Sequence, residues 1–465
     1  MGTLGEVRRL RVRVGVAGCL ALTLAAACGT RLDSSAFRGG DATLGGGTAP
    51  ATATTAPGGT NPASDVGVTA TEIRVGLMVS QTSPLGSETF SPPRYGAEAY
   101  FDHLNAQGGV NGRTVRLIVC DDGATAIGNQ SCAHKLIDSD KVFAFAGNSV
   151  FAYASAPYVS GHDVPDVGGE PVGNAYDQYA HLYSIYGSDS PRTGRSVGFD
   201  GRLFGGTEVY RWFKANLAAR TAGVVYYNQS DSQRYGDLTA AGLQLEGYQV
   251  VREQVDFAVP NMDAASIDMR AHHVDIVFDA LDANGNVTLC KAMDAAHLQV
   301  KAKVVTVQSW DDTVRSQYNG ASGCRNSLYA TAGDLSYDDV SVPVVSQFRA
   351  DMRAAFPERE SRVSMWEEEG WASAQWFTDA VRACGAQLTR ACLEAYLQRP
   401  TPYDGHGLLT PRSFTVNPAP GGPQHNCLAV AQWQDGAAAG QGAWVTRTPV
   451  GQFSCFDVPS VPYTP

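Results

Sequence analysis

Apolar positions along this chain alternate between short continuous runs and steps of four or five residues, the rhythm of an α/β protein. Glu72 to Val79 (EIRVGLMV) is an apolar run of strand length. Beyond it, Tyr95, Ala99, Tyr100 and Leu104 recur at helical spacing, and Gly108-Gly109 stands where a helix end needs left-handed backbone. Asn111-Gly112 is turn chemistry, and Thr114 to Cys120 is rich in β-branched and apolar residues, as a doubly buried parallel strand requires. The stretch Arg94 to Cys120 with the strand before it therefore predicts a β-α-β unit. Its first loop, Ser80 to Ser87, lies at a strand's carboxyl end, where open α/β sheets bind ligands.

The alternation continues with a helix from Gln130 to Ser139, a strand from Val142 to Ala146, a helix around Tyr153 and a strand from Val164 to Val167 that ends in Gly168-Gly169-Glu170. A second series follows: strands Ala222 to Tyr227, Tyr248 to Val255, Val274 to Ala280 and Lys303 to Val307, with helices beginning at Tyr235-Gly236 and spanning Leu289 to Ala296. The fold class expected is α/β, two doubly wound parallel-sheet lobes, and a length of 465 residues suits two domains with appendages. Met365 to Ala383 predicts a long helix, with Trp371, Gln375 or Trp376, and Ala380 on one face as core.

Charge narrows the partners. The net charge is -11 and no Lys/Arg-rich run follows Arg13, which argues against nucleic acid. Arg8, Arg9, Arg11 and Arg13 precede an apolar stretch, Val14 to Ala27, too short to span a bilayer, and small residues lead to Cys28. This resembles a bacterial lipoprotein signal peptide with Leu24 to Cys28 as its lipobox, although Ala25 stands where Leu is preferred. The resemblance implies that residues 1–27 are removed, that Cys28 is acylated and that the protein is anchored on the outer face of the cytoplasmic membrane. An ordinary secretory peptide is the alternative, and both imply export. Residues 28–67 are expected to be a tether: the stretch from 29 to about 65 is rich in Gly, Ala, Thr and Pro, and roughly 37 flexible residues reach about 30 to 35 Å.

Of ten cysteines, Cys19 lies in the signal segment and Cys28 is the lipid site, which leaves Cys120, Cys132, Cys290, Cys324, Cys384, Cys392, Cys427 and Cys455. In an oxidising compartment an even number favours disulfides. Eight cysteines allow 105 pairings. Sequential pairing is the expected one, because each neighbouring pair clips a local loop, most clearly Cys384 with Cys392.

The run GAEAYFDHLNAQGGVNGRTVRLIVCDD, followed by a helix and VFAFAGN, resembles the amino-terminal lobe of type I periplasmic binding proteins of the leucine/isoleucine/valine-binding family, with Asn105 to Arg113 the most diagnostic part. The resemblance implies a ligand-binding component of an ABC importer, with 68–185 and 333–403 forming lobe one and 186–332 and 404–465 lobe two. It places crossings near Tyr183 to Gly187, Ser327 to Ala332 and Asp404 to Phe414. Ligand groups are then expected from Ser80, Gln81 and Thr82; from Asn148 and Ser149; and from Gly168, Gly169 and Glu170. From lobe two they come from Tyr235, Asp282, Gln308, Ser309, Trp310 and Asp311. The chain departs from the family where Asn-Ser-Val-Phe and Gly-Gly-Glu-Pro replace runs richer in Ser, Thr and Ala, the positions that hold a ligand carboxylate.

No nucleophile elbow, P-loop or H-E-x-x-H is present, so no catalytic residue is expected. His272-His273 reads as a loop, and the scattered histidines offer no metal cluster or cofactor site. The expectation is a monomeric, lipid-anchored solute-binding protein that closes on a small polar solute and feeds an importer permease. A receptor of the same fold that signals instead of transporting is the alternative.

Overall fold

The computed structural model describes residues 61–83, 86–170 and 172–465. The signal segment, the Cys28 lipid site and the tether as far as residue 60 lie outside them. Residues 61–67, assigned to the tether by composition, are instead held by side chains of the folded part. The buried Arg113 donates to the carbonyls of Thr69 (2.8 Å), Pro62 (2.9 Å) and Ala386 (2.9 Å). A buried guanidinium needs such acceptors, and this segment supplies one.

Five parallel strands, β1 (Glu72–Val79), β2 (Thr114–Asp121), β3 (Ala144–Ala146), β4 (Asp166–Gly169) and β5 (Leu182–Ser184), form a sheet in the order β2-β1-β3-β4-β5. A short β6 (Leu203–Gly205) pairs with the C-terminal β15 (Val461–Tyr463). The next five, β7 (Thr221–Tyr227), β8 (Gln249–Val255), β9 (Ile276–Ala280), β10 (Ala302–Val305) and β11 (Leu328–Ala332), repeat the same order as β8-β7-β9-β10-β11. Antiparallel β12 (Gln424–Gln434) extends this sheet beside β11, and both β13 (Ala443–Thr446) and β14 (Ser454–Val458) pair with it.

The helix Met365–Cys384 is buried from Met365 to Val381. Ser364 and Glu367 close a capping box at its start. It packs on the helix Pro92–Ala106 through two glycines: a Cβ on Gly96 would fall 1.8 Å from the Glu367 carbonyl, and one on Gly370 would fall 2.0 Å from the Pro93 carbonyl. Trp371 meets Tyr100 edge to face, and Trp376 stacks on Tyr403, so both tryptophans are core.

Several boundaries differ from the sequence reading, each for a local reason. The helix expected from Gln130 starts at Ala126, because Thr125 caps it by accepting from the Gly128 amide, and it passes into a π-helical turn over Lys135–Ser139. Tyr153 lies before the helix Ala156–Gly161, with its hydroxyl donated to Asp166 (2.8 Å). The run to Val307 leaves the sheet at Val305, and Val307–Ser309 forms a 3-10 turn. Leu328 to Ala332, expected within a crossing, is an inner strand, and the chain leaves the sheet at Gly333. Tyr235 lies in the second turn of a helix, Ser230–Leu245, that Gln229 caps. Disulfides join Cys120 to Cys132, Cys290 to Cys324, Cys384 to Cys392 and Cys427 to Cys455. His425 lies near Cys427 and Cys455, but their sulfurs are bonded to each other and offer no thiolate to a metal.

Candidate functional site

Strand order reverses between β1 and β3 in one sheet and between β7 and β9 in the other, and a crevice for ligand forms at the carboxyl ends of strands at such points. Ser80 and Ser149 leave the first pair, and Asp282 follows β9. Ser80 is committed internally: its hydroxyl donates to Asp122 (2.7 Å) and accepts the Phe151 amide (2.8 Å). The Gln81 and Thr82 amides both donate to the Asp121 carboxylate, and Arg94 donates to the Gln81 side chain. Asn148 accepts from the Met78 amide (2.6 Å) and donates to Asp166 (3.0 Å).

Ser149 is different. It bridges Val79 on one side and Glu170 on the other in parallel pairing. Parallel neighbours send their side chains to the same face, so the Ser149 hydroxyl and the Glu170 side chain leave the sheet on one face. That hydroxyl is fully buried and has no hydrogen-bond partner. Gly169 serves packing: a Cβ there would fall 1.6 Å from the Tyr176 hydroxyl, which instead donates to Asp166 (2.7 Å).

In the second sheet, Asp282 caps the helix Ala283–Ala295 by accepting the Gly285 amide (2.8 Å). Gln308 is half-buried, the buried Ser309 hydroxyl has no partner, and Trp310 is fully buried against Trp444. Asp311 is buried and accepts from Thr313, and its carboxyl is pushed up to about 6 by burial. Tyr235 is half-exposed, with the Arg234 guanidinium over its ring at 4.9 Å. Arg234 also reaches the loop after β4, donating to the Val172 carbonyl (3.1 Å) and to Asn174. The structure thus brings Ser149 and Glu170 together and leaves Gln81, Thr82 and Asp282 in local capping roles.

The sequence reading missed a buried acidic group around Glu170. Glu369, on the helix Met365–Cys384, and Glu170 share one donor: the Tyr186 hydroxyl lies 3.2 Å from a Glu170 oxygen and 3.1 and 3.0 Å from the two oxygens of Glu369. Asp334, just past β11, takes the Arg412 guanidinium at 3.2 Å. Tyr186 lies between β5 and β6, Asp334 directly after β11, and Arg412 ahead of β12. Glu170, Asp334, Glu368 and Glu369 are all buried. One oxygen of Glu170, one of Asp334 and both of Glu368 have no hydrogen-bond partner. Burial pushes Glu170 up to about 8 and holds Asp334, Glu368 and Glu369 above the usual carboxylate range, with the neighbouring carboxylates adding to the rise for Glu368 and Glu369. A cavity of about 460 Å³ adjoins the group through Tyr186 and Arg412, and is also lined by Asp177, Ser190, Glu208 and Tyr463. The signal for this cluster was the run Glu367-Glu368-Glu369 inside an apolar helix.

Paired parallel sheets of one strand order, with polar loops at matching strand ends, define an α/β binding protein of type I fold. The chain belongs to the periplasmic binding protein family, whose model matches residues 72–438. An amino acid binding protein of Pseudomonas aeruginosa is 24% identical over 190 residues, 39% of this chain and 47% of that protein, so the match spans about half the length of this curated relative. Among solved structures, a leucine-binding protein of Thermotoga maritima is similar with a TM-score of 0.62 at 14% identity, covering 81% of this chain and 99% of that one. A solute-binding protein of an ABC transporter from Rhodopseudomonas palustris, in complex with 3,4-dihydroxybenzoic acid, gives 0.62 at 15% identity over 83% and 98%. The family consists of binding proteins for small ligands, not enzymes. Among the described residues no helix is long and apolar enough to cross a membrane.

Proposed function

We propose that this protein captures a small polar solute outside the cytoplasm and delivers it to the permease of an ABC importer, held at the membrane by a lipid on Cys28 and acting as a monomer. Residues 68–185 with 333–403 form one lobe in this reading, and 186–332 with 404–465 the other. The observation that carries it is the contact of Arg234 with Val172 and Asn174, which joins a helix that follows β7 to the loop after β4. A ligand that touches both strand-end regions favours the closed arrangement by its differential affinity, and Arg234 is a latch made only on closure. Of the residues expected to meet the ligand, Ser149, Glu170, Ser309 and Tyr235 are the ligand-facing groups in this reading, since the first three are buried with unpartnered polar atoms and the fourth adjoins the latch.

Thermal unfolding and small-angle scattering across a broad metabolite panel test the reading. A ligand should raise the unfolding midpoint and contract the particle. A panel without any such compound would sink it.

A further inference from the structure

Around Glu170, acceptor oxygens outnumber donors among the described residues. The Tyr186 phenol is offered to three carboxylate oxygens, the Trp366 indole lies beside Glu170, and Arg412 donates to Asp334 while its Nε–H has no partner. Glu368 is completely buried with both oxygens unpartnered, and facing it are Asp334, Asp338 and Asp339, with Arg349 directed to Asp338. Four buried carboxyls outnumber the guanidinium groups of Arg412 and Arg349 that act on them, and the remaining negative charge must be met by protons or by a cation. Independently of the acids, the Ser149 hydroxyl is buried, unpartnered and directed to the same face as Glu170. A metal ion is a poor occupant, because among the described residues no three of these carboxyls bring oxygens within 4.8 Å of one another. A ligand N–H reaches such spread acceptors one at a time.

We propose that the solute carries a protonated nitrogen, as an amine, amidine or guanidine, and that this group sits on the carboxyls of Glu170 and Glu369 beside the hydroxyl of Ser149, with the rest of the solute in the adjoining cavity. The proposal rests on the solute-binding reading and names its ligand class. It also reverses the polarity implied by the family resemblance, in which this end of the first sheet holds a carboxylate. A cation binds the ionised carboxyls and so displaces protons. Affinity should therefore rise with pH through the range in which Glu170 titrates, in the field of Tyr176, Tyr186, Asp334, Glu369 and Arg412.

The test is calorimetry and thermal unfolding of the protein with agmatine and putrescine as cationic probes, and with 4-methylpentanoate and 3,4-dihydroxybenzoate as carboxylate probes that lack an amine, at pH 6 and pH 8.5. A cationic probe should bind at least tenfold more tightly at pH 8.5, with heats that vary with the buffer's ionisation enthalpy. E170Q and S149A should each weaken it while remaining folded by circular dichroism, E170Q by tenfold or more. Binding of a carboxylate probe with no response to either cation overturns the ligand class and leaves the solute-binding reading standing. No response to these four or to the broad metabolite panel overturns both.

Discussion

Replacing Gly96 by alanine sets two effects of opposite sign against each other. Gly96 lies inside the helix Pro92–Ala106, where alanine is favoured over glycine by about 1 kcal/mol. The added methyl, however, would fall 1.8 Å from the Glu367 carbonyl oxygen and 2.7 Å from the Trp371 amide nitrogen, both backbone atoms of the facing helix. To reach an ordinary contact of 3.4 Å the helices must separate by about 1.6 Å, and a gap of about 1 Å already forfeits up to half of a dispersion contact. The rings lost to one another include Tyr100 and Trp371, now 5.0 Å apart, and Phe101 and Phe377, now 6.1 Å apart. Overpacking costs about 1 to 3 kcal/mol when side chains absorb it, and backbone atoms yield less, so a cost near 4 kcal/mol against a gain near 1 leaves a net loss of about 3 kcal/mol. Urea unfolding measures it, with Gly161→Ala as the matched control: Gly161 is also helical, has ordinary φ, and has nothing within 4 Å of its added methyl. G161A should be neutral or slightly stabilising. A G96A protein as stable as wild type would refute the claim that this glycine contact sets the helix spacing.

Asp166, buried and accepting from Tyr153, Tyr176 and Asn148, has its carboxyl pushed up to about 6 by burial. An unfolded Asp ionises near 3.9, so between about pH 4 and pH 6 the unfolded chain sheds its proton first, and stability falls as pH rises by about 3 kcal/mol from this group; above pH 6 its contribution is flat. D166N should lack that component, and parallel pH profiles for the two proteins that superimpose in slope would reject it. The disulfide Cys290–Cys324 closes 34 residues and Cys384–Cys392 closes 8, so chain entropy assigns the double serine variants losses of about 4 and 2.5 kcal/mol in that order. A reversed order in denaturant unfolding would show that native-state effects dominate. Arg234→Ala removes the contacts to Val172 and Asn174, and should weaken binding of any closure-inducing solute about tenfold, roughly 1.4 kcal/mol. An unchanged Kd would mean the contact is indifferent to closure.

Sheet architecture was legible because a doubly buried strand advertises itself locally: EIRVGLMV and VDIVFDA need no distant partner to be recognised. Boundaries were less so, since Thr125 caps its helix through one hydroxyl and Tyr153 is drawn from helix to loop by an acid thirteen residues on. Among the expected site residues, Ser80 and Asn148 lie at strand ends, but whether such a side chain faces ligand depends on who has already engaged it. Asp122 and Asp166 had done so. The acidic group was hidden for a related reason. Tyr186 meets Glu369 across 183 residues, a pairing that no spacing rule reaches. Yet the run itself carried a usable constraint. Consecutive helical residues step by about 100°, so three adjacent carboxyls fan across most of a helix's circumference. When the same helix places Trp371 and Trp376 in the core and has glycine contacts on another side, no face remains wide enough to keep all three acids in water. A triple-acid run in a helix that must be buried is therefore a statement that charge has been taken inside, and that something must neutralise it.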